Sequence, residues 1–164
     1  MRRYRFGAVI LMLAAAQFAV RPWLGGERWA DWAPDFLLIA LLIYSIRTTP
    51  GRASVGGFLV GLFADALNPV AFGAGALAHT VVAFLAAWGK AVFFAENLLV
   101  SAGFFFAGTM IRDLLTQLSS GIVGQRDFFW QMVVWSPLKA FTTAVVGILV
   151  LVTFQRWLEV RIAD

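Results

Sequence analysis

Four ionisable side chains, those of Arg21, Asp35, Asp65 and Lys139, lie inside stretches of the sequence that are otherwise apolar. A charged group in an apolar interior is unstable unless it is paired, protonated or hydrated. Such residues therefore neutralise one another or line a path for an ion or a solute. Two acids and two bases could form a neutral polar cluster. That cluster could fix the packing of helices, or it could bind a polar ligand.

Other reactive chemistry has little support in the sequence. The chain has no cysteine and one histidine, which excludes disulfides, cysteine nucleophiles, thiolate metal sites and multi-histidine metal sites. The motifs of zinc proteases, serine hydrolases and phosphate-binding loops are missing as well. We therefore expect no catalytic residue, no metal and no cofactor, and we predict that the protein is not an enzyme.

The elements that must position these four residues are predicted to be membrane-spanning helices. The chain is 61% hydrophobic and 13% charged, with a mean hydropathy of +0.82, which is more apolar than a soluble domain. Apolar runs of the roughly 20 residues needed to cross a bilayer follow one another with short polar breaks. The sequence predicts one all-α transmembrane domain over residues 1–164, with six helices at about 6–24, 33–46, 53–70, 71–89, 92–111 and 132–154.

Two segments leave alternatives open. The basic N-terminus and the apolar run after it could be a cleaved signal peptide, which would leave five spans, but the run continues past Ala14–Ala16 and favours six. Residues 112–131 are too polar to span, although their apolar residues have helical spacing. They could form a helix in the membrane interface or continue the fifth helix. Phe128, Phe129 and Trp130 favour an anchor over a partner-docking surface.

The distribution of lysine and arginine predicts the orientation of the bundle. Loops alternate between the two sides of the membrane, and basic residues concentrate on the cytoplasmic side, so both termini are expected in the cytoplasm. These residues are scattered and form no single patch, so the net charge of +4 does not indicate nucleic-acid binding. The cytoplasmic set is Arg2, Arg3, Arg5, Arg47, Arg52, Lys90, Arg156 and Arg161, against Arg28, Arg112 and Arg126 outside.

The third predicted helix carries an internal packing face. Gly57, Gly61 and Asp65 stand four residues apart and therefore lie on one side of the helix. Glycines at this spacing let another helix backbone approach closely, so Asp65 should point into the bundle. Pro69 and Gly73, in the short sequence NPVAFG, predict a tight turn into the fourth helix.

Depth along the helices predicts which charges meet. Counted from the helix centres, Asp65 lies roughly 5 Å to the outer side of the midplane, Asp35 and Lys139 roughly 7 Å, and Arg21 roughly 9 Å. All four therefore share one level of the membrane. We expect Lys139 to pair with Asp65 or with Asp35. His79, in the fourth helix, is expected to be a hydrogen-bonded packing residue.

Two stretches resemble the family of the rod shape-determining protein MreD. They are PDFLLIALLIYSI at 34–46 and GGFLVGLFADALNPVAFGAGAL at 56–77. The shared pattern is a Pro-Asp pair that opens the second helix, then G-F-x-x-G-L-x-x-D, a short turn and a small-residue helix. The resemblance covers residues 34–89, and the other helices agree only in length, hydrophobicity and number. The residues that match are Pro34, Asp35, Gly57, Gly61, Asp65 and Gly73.

The resemblance implies a multi-pass protein of the bacterial inner (plasma) membrane. It implies a non-enzymatic scaffold of the cell-elongation machinery that is required for rod shape and supports peptidoglycan synthesis. Its partner would be MreC, and through MreC it would reach MreB, RodA and a class B penicillin-binding protein. The family is also similar in fold to the S components of energy-coupling factor transporters.

Two other functions follow from the same residues. In the first, the chain is a substrate-binding subunit of a small-solute transporter, and Arg21, Asp35, Asp65 and Lys139 line an outward-facing cavity. In the second, the chain is an intramembrane enzyme, which would need a nucleophile or a metal site that the sequence does not provide. The scaffold accounts best for the pattern, with membrane lipids as its surroundings.

Overall fold

The computed structural model describes residues 2–23, 33–67, 72–93, 98–119 and 126–154, and their regular structure is helical throughout. The prediction of an all-α fold is confirmed. The sixth helix is continuous but passes through a π-helical segment. The helices are α1 (Arg2–Trp23), α2 (Phe36–Ser45), α3 (Pro50–Leu67), α4 (Ala74–Phe93), α5 (Leu98–Ser119) and α6, which comprises Arg126–Trp130, the π-helical Gln131–Trp135 and Ser136–Thr153.

Helix α2 lies at the centre of the bundle. Its residues from Leu37 to Ile43 are all buried, because α1, α3, α4, α5 and α6 all contact it. A helix that is apolar on every side is stable only when it is surrounded in this way. The predicted span at 33–46 was too long, since α2 has ten residues and a length of about 15 Å.

Helices α3 and α4 form a hairpin with the most extensive helix–helix contact in the fold. Gly73, immediately before α4, has a φ angle of 96°, a left-handed conformation that glycine adopts without strain. A β-carbon at Gly57 would collide with the carbonyl group of His79, and one at Gly61 would collide with the backbone of Gly75 and Ala76. The glycine face predicted on the third helix is therefore the contact with α4.

Helices α5 and α6 pack against each other and against the core. Ser101, Phe105, Thr109 and Asp113 stand four residues apart on α5 and are all buried. The predicted fifth span, 92–111, ended too early, because the helical pattern runs on to Ser119. Two alternatives were open for the segment after residue 111. As far as Ser119, the structure has the one in which the fifth helix continues.

Among the residues that the structure describes, two helices are long and apolar enough to cross a membrane, Leu98–Ser119 and Phe128–Thr153. The apolar parts of α1 and α2, Gly7–Ala19 and Phe36–Ser45, are shorter than a span. Large apolar side chains are exposed on all the helices except α2, and a surface of this kind favours contact with hydrocarbon over contact with water. Examples that are more than half exposed are Leu11, Leu59, Trp88, Leu99 and Phe141.

Candidate functional site

The N-terminus of α2 is held by its own cap residue and by side chains from two other helices. Asp35 caps the helix, since its Oδ1 accepts a 3.0 Å hydrogen bond from the N–H of Leu38. The N–H of Asp35 itself donates to Oγ1 of Thr143 in α6, at 3.2 Å. The N–H of Phe36 donates to Oε1 of Gln17 in α1, at 3.0 Å. The N–H groups of Asp35, Phe36 and Leu38 are thereby satisfied inside the bundle.

An ion-pair network continues from this helix end. Arg112 of α5 pairs through Nη2 with Oδ2 of Asp35 and through Nη1 with Oδ1 of Asp113, the latter at 2.7 Å. Asp113 Oδ1 also lies 3.7 Å from Nζ of Lys139 in α6. Ser136 donates a 3.0 Å hydrogen bond to the second oxygen of Asp113. We call this set the polar cluster: Asp35, Arg112, Asp113, Ser136, Lys139 and Thr143.

The polar cluster is electrically balanced. Its two carboxylates are buried, and the side chains of Arg112 and Lys139 are 14% and 20% exposed. Pairing of this kind offsets the desolvation of charges that are removed from water, and removing one partner leaves another charge unpaired. The cluster joins α2, α5 and α6 at one level of the bundle, so its clearest physical effect is to fix how these helices pack.

Asp65 makes its contacts elsewhere, at the N-terminus of α4. Its Oδ2 accepts the N–H groups of Gly73 and Ala76, both at 2.9 Å, and its Oδ1 accepts the N–H of Gly75 at 3.0 Å. These are donors that the first turn of a helix leaves without intrahelical partners, and the helix dipole favours a negative charge there. Asp65 therefore ties the end of α3 to the start of α4.

His79 lies one turn further along α4 and is buried. Its Nδ1 is 2.7 Å from the carbonyl oxygen of Gly75, and because a carbonyl only accepts, Nδ1 carries the proton in this contact. The backbone carbonyl of His79 faces Gly57 across the hairpin. This is the hydrogen-bonded packing residue that the sequence predicted. No group of three potential metal ligands occurs among the residues that the structure describes.

The predicted four-residue cluster is corrected in two respects. Asp35 and Lys139 do lie in one network, but they meet through Arg112 and Asp113, which the prediction did not include. The predicted pairing of Lys139 with Asp65 or Asp35 was wrong, because Lys139 contacts Asp113 and Asp65 is held by backbone N–H groups. Arg21 is in the last turn of α1, and its side chain lies outside the described residues.

Arg112 shows why the sequence reasoning missed this network. It was counted as a loop residue that reports orientation, whereas it lies within α5 and is largely buried. The signal was present in the sequence, because the four-residue spacing of Phe105 and Thr109 continues to Asp113, beyond the assumed end of the span. A buried acid on that face needs hydrogen-bond donors or an opposite charge, and Arg112 is adjacent to it.

The chain was compared with protein-family models, curated proteins and solved structures, and nothing in any of the three matches it.

Proposed function

We propose that the chain is a non-enzymatic membrane scaffold of the bacterial cell-elongation machinery, of the MreD type, and that it binds MreC. In this proposal all six helices are embedded in the inner membrane, with α2 enclosed by the others, and both termini are cytoplasmic. MreC links the chain to MreB, to RodA and to the class B penicillin-binding protein, so its contribution to peptidoglycan synthesis is indirect.

One observation carries the proposal: the three carboxylates that the structure describes, those of Asp35, Asp65 and Asp113, are all engaged within the chain. Asp65 accepts three backbone N–H groups, Asp35 caps a helix and pairs with Arg112, and Asp113 contacts Arg112, Lys139 and Ser136. Groups that bind a substrate or transfer protons need free acceptor positions in at least one state. Carboxylates used in this way hold helices in register, which is what a scaffold requires.

The residues that resemble the MreD pattern also have structural roles that belong together. Pro34 and Asp35 open the central helix, Gly57 and Gly61 permit close contact of α3 with α4, and Asp65 fixes the turn that contains Gly73. Because these residues together form one packed core, the shared pattern supports a fold in common with MreD. The exposed apolar surfaces of the bundle take no part in this core and are available for the membrane-spanning helix of a partner.

The test is to tag the chain, extract it gently from its native bacterial membrane and identify what is purified with it by mass spectrometry. Recovery of MreC together with the synthase would support the scaffold. The untagged strain provides the background control. Recovery of an ATPase pair with a vitamin-like compound would instead establish a transporter subunit and overturn the proposal.

A genetic readout tests whether cell shape depends on the intact fold of this chain. Asp65→Ala should give rounded cells and reduced accumulation of the protein, because the start of α4 loses its acceptor. Gly103→Ala is the matched control, since a β-carbon there meets no atom within 4 Å. Cells with this control variant should remain rods. Rods at normal growth in the Asp65→Ala strain would count against the proposal.

A further inference from the structure

Helix α6 is longer than a membrane requires. Its apolar stretch, Phe128–Thr153, has 26 residues. At 1.5 Å per residue it is about 39 Å long, whereas the hydrocarbon core is about 30 Å thick. About 9 Å of helix, or roughly six residues, must therefore tilt, bend or leave the hydrocarbon.

The excess lies at the N-terminal end of the helix. Gln131–Trp135 contains no buried residue, and its main contacts are with the two neighbouring stretches of its own helix. By contrast, Ser136–Thr153 has buried residues along its length as far as Leu151 and packs against α5. We call residues 126–135 the α6 arm, because they extend beyond the part of the helix that is fixed to the bundle.

A break in helix geometry separates the arm from the rest of α6. The N–H of Ser136 donates to the carbonyl of Gln131, five residues back, which is the π-helical pattern. Pro137 follows and has no N–H to donate, so the regular α-helical ladder is interrupted at this point. Just beyond the break, Ser136 and Lys139 bind Asp113 of α5. The helix is therefore fixed to α5 on one side of the break and can change direction there.

The arm carries large aromatic side chains that the bundle does not cover. Phe129 is 65% exposed and Trp130 is 58% exposed. Contact with water would be unfavourable for surfaces of this size, and the hydrocarbon centre has no partner for an indole N–H. The boundary between headgroups and acyl chains satisfies both requirements, which is why tryptophan concentrates there.

We propose that the α6 arm lies in the membrane interface and anchors the outer end of the helix to lipid. The arm contacts lipid, and its Phe129 and Trp130 side chains insert into the boundary between headgroups and acyl chains. The inference rests on the membrane placement of the proposed function, but it goes beyond that function, since it assigns a depth and a lipid contact to one segment.

The absence of cysteine in the sequence allows a clean test with single-cysteine variants. Phe129→Cys is the arm site and Phe141→Cys is the matched control. Phe141 is on the same helix, 62% exposed, and about 18 Å further along it, beyond the break and within the part that packs against α5. Each purified variant carries a nitroxide spin label in vesicles of phosphatidylcholine with a minority of phosphatidylglycerol. Collision rates with oxygen and with a water-soluble nickel chelate are then measured by electron paramagnetic resonance.

The inference predicts a several-fold higher ratio of oxygen to nickel collisions at residue 141 than at residue 129. The ratio at 129 should still exceed that of free label in buffer, as expected for insertion roughly 5–10 Å into the interface. Equal ratios at the two sites would place the arm in hydrocarbon, and a buffer-like ratio at 129 would place it in water. Weak collisions with both reagents would show a second copy covering it. Each of these three results overturns the inference.

The control site keeps this result distinct from failure of the proposed membrane fold. A buffer-like ratio at residue 141 would show that α6 does not enter the bilayer, which would overturn the membrane placement itself. Should Phe129→Cys fail to fold, Trp130→Cys tests the same point at a neighbouring position of similar exposure.

Discussion

Oδ1 of Asp65 occupies the space in which a β-carbon at Gly75 would lie, and it accepts the N–H of Gly75 at 3.0 Å. The acid on α3 and the glycine on α4 therefore require each other. A side chain at position 75 would displace the carboxylate from the helix end that it caps. The α3–α4 hairpin is therefore held by this contact as well as by its close helix packing.

Gly75→Ala should lower the free energy of unfolding by about 1–3 kcal/mol, because the displaced carboxylate leaves buried N–H groups without an acceptor. Titration of detergent micelles with dodecyl sulfate, followed by circular dichroism, measures this quantity. Gly103→Ala provides the control. It lies in open space on α5 and should gain roughly 0.5–1 kcal/mol of stability from helix propensity. Equal effects at the two positions would contradict the Asp65–Gly75 contact.

Gly61→Ala and Gly89→Ala compare two kinds of glycine contact. We expect an added methyl group to lower stability more where the glycine faces backbone atoms than where it faces a side chain. A β-carbon at Gly61 meets the backbone of α4, including the nitrogen of Ala76 at 2.8 Å, so the helices must separate. Overpacking of this kind lowers stability by about 1–3 kcal/mol. A β-carbon at Gly89 meets only the far end of the Phe104 ring, at 2.9 and 3.1 Å, which can move aside.

Stability of the Gly89→Ala variant should stay within about 1 kcal/mol of the wild-type value, because helix propensity offsets the small displacement of the ring. The same dodecyl sulfate titration compares the two variants. A larger loss for Gly89→Ala than for Gly61→Ala would show that the contact of α3 with α4 is looser than described here.

A double-mutant cycle tests the network around Asp113. Asp113→Asn and Lys139→Met should each destabilise the protein, and their coupling energy should fall in the range of about 0.5–3 kcal/mol that residues in one network show. The cycle of Asp65→Asn with Lys139→Met is the comparison. Its coupling should be smaller, because Asp65 is bound by backbone N–H groups. The reverse order would restore the pairing of Lys139 with Asp65 that the sequence suggested.

Features set by local spacing were predictable from the sequence. Gly57 and Gly61 repeat at four residues, so their shared face follows from helix geometry alone, and Gly73 indicated the turn by its residue type. The partner of Asp65 was not predictable in the same way. Matching of opposite charges pointed to a basic side chain. The carboxylate oxygens of Asp65 instead accept backbone N–H groups, which every residue except proline carries.

The polar cluster was missed for a different physical reason. A span that is predicted from hydropathy ends where charged residues begin. Arg112 followed by Asp113 has the composition of a loop. Within the bundle the two charges neutralise each other and their neighbours, so the helix continues through them. Only the three-dimensional structure shows that Asp35, the cap residue of α2, completes this ion-pair network.

Helix α1 gives the last prediction, since it decides between the six-span chain and a cleaved signal peptide. Leu13 is 2% exposed and packs in the core, whereas Leu11 is 72% exposed on the same helix. Leu13→Ala should lower stability by about 2–5 kcal/mol, as buried leucines do. Leu11→Ala should change it by no more than about 0.5 kcal/mol. Intact-mass measurement of the protein from membranes should find α1 still attached. A mature protein without α1, as stable as the full chain, would show that the core forms without Leu13 and that the helix is a targeting segment.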